Sequence, residues 1–140
     1  MTTQDKNIAI AEMLGWKYVT WMDRRDEKYG KTIYEGWYSR VPNIYNRKIN
    51  GELYKGRSHN NLKFHSDANW QDEAIEWIQQ QDVIGAKYAS NYNVVVDCFG
   101  CYIETTGYHS WTVVRVENEN RKETIFEALY QFSQYLKQKK

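Results

Sequence analysis

Apolar residues near the N-terminus recur at helical spacing: in "TTQDKNIAIAEMLG", Ile8, Ala11 and Leu14 fall on one face. Thr2 or Thr3 can cap this first helix and Gly15 can end it. The pattern then changes. "WKYVTWM" and "KTIYEGWYSR" are rich in aromatic and β-branched residues and flank the polar break "DRRDEKYG", which predicts a hairpin of two strands. Residues 41–65 carry scattered turn formers and show no period, so they read as a long loop. In "SDANWQDEAIEWIQQ" the helical period returns, with Trp70, Ala74, Trp77 and Ile78 on one face. Ser66 or Asp67 stands as cap, and acids are expected in the first turn.

Beyond that helix, "NVVVDCFGCYIET" and "SWTVVRVE" have the composition of strands joined around "TTGYH", and "VIGAKYA" suggests a further short strand. The closing segment sets Ile125, Leu129, Phe132 and Leu136 along one stripe of a third helix, with Asn118 or Asn120 as its cap and lysines at its end. Trp70, Trp77 and Trp111 fall on faces expected to be buried. Helices and hairpin-like strands segregate rather than alternate. The expected fold is therefore α+β, with three helices on an antiparallel-dominated sheet in the order α-β-β-α-β-β-α. One domain over residues 1–140 is expected, with a basic, tyrosine-rich insertion at about 41–65.

Composition narrows the classes. A chain of 140 residues with an aromatic fraction of 16% and a single proline is an ordered domain rather than a low-complexity protein. No apolar run is long enough to span a bilayer and "MTTQDKNIAI" lacks the form of a signal peptide, so the expectation is a cytoplasmic protein without a membrane partner. Two cysteines suit a reducing compartment better than a disulfide scaffold.

The formal net charge is only +1, yet residues 1–39 balance to zero, residues 40–65 carry +5 and the remainder carries −4. In 40–65, Arg40, Arg47, Lys48, Lys55, Arg57 and Lys63 face Glu52 alone. A long nucleic acid favours a broad positive surface, so a local basic segment fits a compact anion better.

Catalytic and metal chemistry finds little support. In "CFGC" the valines before Cys98 and the strand-like "YIET" after Cys101 do not supply the helix N-terminus that a redox pair needs. A structural zinc needs four ligands, and His59, His65 and His109 lack companions at ligand spacing. Cys98 and Cys101 read as small core or turn residues, with no metal or cofactor expected. Asp97 and Glu104, at odd separation on one expected strand, would point to opposite faces. Glu73 and Glu76 read as a solvated helix face. The chain is expected not to be an enzyme.

The remaining signal is aromatic. Tyr34, Trp37, Tyr38, Tyr45 and Tyr54 interleave with Arg40, Arg47, Lys55 and Arg57. Aromatic faces stack on bases and guanidinium groups grip phosphates, so Trp37, Arg40, Tyr45, Arg47, Tyr54, Lys55 and Arg57 form the expected ligand site for a small nucleotide. A protein contact, where Tyr, Trp and Arg also concentrate, is the alternative.

Several short pieces together carry a resemblance: "IAIAEMLGWKY", "FHSDANWQDEAIEWI", the strand with Trp111, and "IFEALYQFSQYL". They resemble the phage ABA sandwich domain family of small bacteriophage proteins, which share a Gly-Trp pair after the first helix and a Tyr/Phe-Ser-Asp helix start. The chain departs from them by inserting residues 41–63. The resemblance implies an α+β fold and a phage setting in the host cytoplasm. By analogy of type, it also implies an anti-defence role in which a cyclic or ADP-ribose-derived signalling nucleotide is sequestered without cleavage. Tyr45 and Tyr54 would stack, Arg47, Lys55 and Arg57 would neutralise, Gly51 and Gly56 would let the loop close, and a homo-oligomer could complete the pocket.

Overall fold

Thr2 and Asp5 start the first helix reciprocally: Asp5 N–H donates to Thr2 Oγ1 and Thr2 N–H donates to Asp5 Oδ2, both at 3.1 Å. The computed structural model of the chain describes residues 1–22, 33–38, 47–49, 52–54, 62–86, 90–107 and 110–139. The described elements run α1 (Thr3–Met13), β1 (Lys17–Met22), β2 (Ile33–Tyr38), β3 (Arg47–Ile49) and β4 (Glu52–Tyr54). They continue with α2 (Ala68–Gln79), β5 (Tyr92–Val96), β6 (Gly100–Thr105), β7 (Thr112–Glu117) and α3 (Arg121–Lys139). The fold is α+β, with three helices and an antiparallel sheet in the expected order. It groups into two compact units, residues 1–13 with 63–140, and residues 14–62.

In the larger unit the sheet order is β5-β6-β7, antiparallel throughout. Strand alternation sends Cys101, Ile103 and Thr105 of β6 and Val114 of β7 inward, where they are buried. α3 packs on β6 and β7 and also meets α1 and α2. Its stripe of Ile125, Leu129, Phe132 and Leu136 is buried as expected. Phe132 meets Tyr92 edge-on, with ring centroids 4.8 Å apart. Each large apolar side chain so buried contributes roughly 1.5–3 kcal/mol. Asn120 is the cap: its Oδ1 accepts from Glu123 N–H at 3.0 Å, while Asn118 Oδ1 accepts from Asn120 N–H at 2.9 Å.

α2 is capped by Asp67, whose carboxylate accepts from the amides of Asn69 and Trp70. Its first turn holds no acid, because the helix begins at Ala68 and puts Asp72 and Glu73 in the second turn. Its buried face is Trp70, Gln71, Ala74 and Ile78, with Trp77 half-buried.

Other expectations are corrected. The buried face of α1 is Asn7, Ile10 and Ala11, with Ala9 beside them, rather than Ile8, Ala11 and Leu14. The rotation follows from Asn7, a fully buried amide whose oxygen and nitrogen are both hydrogen-bonded. Gly15, at φ +81°, follows the end of the helix, where an L side chain would be strained. The segment 93–105 is not one strand but two, reversed at residues 97–99, with Asp97 Oδ1 accepting from Phe99 and Gly100 N–H. Asp97 and Glu104 therefore do not share a strand. The short strand expected at 83–89 is absent over residues 83–86; Gly85 has φ +76°, and pairing there is a single bridge between Asp82 and Asn91. Trp111 precedes β7 and is 49% exposed, so it is no core residue; its backbone bonds to Thr105 instead.

In the smaller unit, β1 and β2 pair antiparallel, Tyr18 opposite Trp37, and β3 and β4 form a second antiparallel ribbon. The second ribbon corrects the reading of 41–65 as loop throughout. Its register, Ile49 opposite Glu52, leaves two residues between the strands. They are Asn50 and Gly51, the dipeptide most favoured in two-residue hairpins.

Candidate functional site

The residues expected to bind a ligand belong to the smaller unit. Arg40, Tyr45, Lys55 and Arg57 lie outside the described residues. Arg47 opens β3 and Tyr54 closes β4, and the register sets them directly opposite each other. These two strands are three residues each, drawn from the most basic stretch of the chain. Trp37 sits on β2 and is 8% exposed, with the ring of Tyr18 edge-on to it at 5.7 Å. The Trp37 ring is buried, and of the two aromatics Tyr18 is the more accessible, at 49%. Tyr18 was not among the expected ligand residues. Its place in a strand of aromatic and β-branched residues marks it as β-forming and carries no sign of which face is open.

The larger unit holds a second concave feature, a cavity of about 330 Å³ where the β5–β6 turn meets the start of α3. Asp97, Cys98, Asn118, Glu119, Arg121 and Thr124 line it. Three of them are engaged locally. Asp97 caps the turn, Asn118 holds the Asn120 amide, and the Thr124 hydroxyl donates to the carbonyl oxygens of Asn118 and Asn120. The charged lining that remains is Glu119 beside Arg121, of opposite sign and both exposed.

The "CFGC" pair falls apart by environment. Cys98 lies in the exposed turn and Cys101 points into the core, and both are free thiols. Burial pushes the Cys101 thiol up to about 11, so it stays protonated at neutral pH. Low reactivity follows, because the thiolate is the nucleophile. His65 Nδ1 is 2.9 Å from Asn7 Nδ2, while His59 and His109 lie outside the described residues. Among the described residues no three His, Cys, Asp or Glu side chains are grouped to hold a metal ion. No helix among them is long and apolar enough to cross a membrane.

Compared with known proteins, the chain matches no family model, no curated relative and no solved structure.

Proposed function

We propose that this chain is a phage-encoded, non-enzymatic binding protein that sequesters a small nucleotide-derived immune signalling molecule in the cytoplasm of the host. The observation that carries the reading is the register of the β3–β4 ribbon, Arg47 opposite Tyr54. Directly opposed residues of an antiparallel pair share one face and lie about 4.5–5.5 Å apart. An arginine and a tyrosine at that spacing can serve one phosphate and one base of the same nucleotide. The surrounding charge agrees: six basic residues against one acid in 40–65 favour an anion, and the confinement of that charge favours a small one. The phage setting rests on the short pieces resembling the ABA sandwich domain family.

The test is capture. Purified protein is incubated with an extract of phage-infected bacteria, washed, heated to release what it holds, and the supernatant analysed by mass spectrometry. A nucleotide recovered with the mass it has in the untreated extract is the expected result. Recovery of nothing, together with pull-down of a host protein, favours the protein-contact alternative; a chemically altered nucleotide favours an enzyme.

A further inference from the structure

The two edges of the three-stranded sheet are built differently. At the β5 edge, the outward-facing Val94 N–H donates to Gln79 Oε1 of α2 at 3.2 Å, so a side chain covers the ladder there. On β7 the ladder toward β6 continues one residue past the strand, where Asn118 N–H donates to Phe99 O. Hydrogen-bonded pairs alternate along an antiparallel ladder, so the amides of Val114 and Val116 face β6 and those of Arg115 and Glu117 face away from it. Among the described residues no hydrogen bond reaches the outward amides of Arg115 and Glu117. Their side chains are 65% and 63% exposed.

An open strand edge is a template for another strand, and proteins commonly blunt it with like charges, which repel a second copy. β7 carries charges of opposite sign two residues apart, and that pattern is self-complementary. Let a second copy pair antiparallel about a two-fold axis at Val116. Arg115 of each copy then stands opposite Glu117 of the other, and Val116 stands opposite Val116. The same register brings the outward amides of Arg115 and Glu117 face to face, as a hydrogen-bonded ladder requires. Centring the pair on Arg115 would oppose two guanidinium groups, and centring it on Glu117 would oppose two carboxylates. Of these three registers only the first pairs opposite charges. The guanidinium already lies 3.9 Å from the carboxylate of its own Glu117 and 5.4 Å from the centre of the Tyr102 ring, so the second carboxylate meets a group held near its place.

We propose that two copies of this chain pair through β7 into one continuous antiparallel sheet, in the register that sets Arg115 opposite Glu117. The proposal is independent of the ligand reading, since β7 lies in the larger unit and the expected ligand residues lie in the smaller one.

Charge reversal tests it on the full chain, by sedimentation over a concentration series. The parent is expected to dimerise. Arg115→Glu and Glu117→Arg each convert both cross-strand pairs to like charges and should weaken the dimer at least about tenfold. An equimolar mixture of the two single variants restores both pairs and should dimerise as a heterodimer, as should the double swap with itself. In the parent, hydrogen exchange of the Arg115 and Glu117 amides should slow as concentration rises, a readout that needs no variant to fold. A parent that stays monomeric, a dimer indifferent to either reversal, or a mixture that does not pair would each overturn the proposal.

Discussion

Phe64 is fully buried with both its backbone groups held by side chains: its N–H donates to Asn7 Oδ1 at 2.8 Å and its carbonyl accepts from Gln71 Nε2 at 2.8 Å. Gln71 reaches the Lys122 carbonyl as well, so two buried amides tie α1, α2 and the start of α3 to one turn. Asn7→Ala orphans the Phe64 amide and should lower stability by about 1–3 kcal/mol, whereas Glu119→Ala, at an exposed position, should stay within about 0.5 kcal/mol; urea midpoints of the two variants check this. Cys101 gives a second expectation. Its thiol has a folded pKa of about 11 against an ordinary 9.0, so the fold favours the neutral form. That contribution is full below pH 9.0 and is lost as pH rises through about 11. Cys101→Ala should remove this part of the alkaline sensitivity. In the native parent at pH 8 a thiol reagent should modify Cys98 alone and reach Cys101 only after unfolding. The core apolar residues of α3 were legible in the sequence, because their period is that of the helix. Asn7 and Gln71 were not, because a search for apolar periodicity passes over a buried amide whose partners come from distant parts of the chain.

Helix ends were legible for a related reason: capping is local chemistry. Thr2, Asp67 and Asn120 each stand where a side-chain oxygen meets amides within three residues, and all three were candidates from sequence. Asp67→Ala should cost about 1 kcal/mol by thermal or urea melting, less than the loss of the buried Asn7. Strand ends were read less well. The turn at 97–99 is signalled only by Asp97 and Gly100, set between runs whose β-branched and aromatic content is that of strands, and the β3–β4 ribbon is masked by its charges, although Asn50-Gly51 between Ile49 and Glu52 is itself a hairpin signal. Gly100 shows what a strand position can require beyond propensity. A Cβ added there would lie 2.2 Å from the Val116 carbonyl oxygen, so backbone rather than a flexible side chain would have to move. Gly100→Ala should therefore destabilise the β6–β7 pairing by at least about 1–3 kcal/mol, measured by the same melts and by faster amide exchange along β7.

Across the whole molecule, charge is the property that sequence makes plainest and that points furthest toward function. The +5 carried by residues 40–65 sits in a chain of net charge +1. Sequence supplied the seven residues of the expected site; the structure adds one relation among them, Arg47 opposite Tyr54, and puts Trp37 within a packed pair with Tyr18. That relation comes from strand register, which composition and charge along 41–65 do not carry. The proposed hold of this ribbon on a nucleotide is tested most directly by calorimetric titration of the parent, Arg47→Ala, Tyr54→Ala and Tyr54→Phe with the molecule released by heating. Charge-assisted hydrogen bonds contribute roughly 1.5–3 kcal/mol each, so Arg47→Ala should weaken binding about tenfold to a hundredfold. Tyr54→Ala should do the same through lost stacking, with Tyr54→Phe near the parent. Unchanged affinity in all three variants, each melting like the parent, would contradict the claim and leave the basic ribbon as solvated surface.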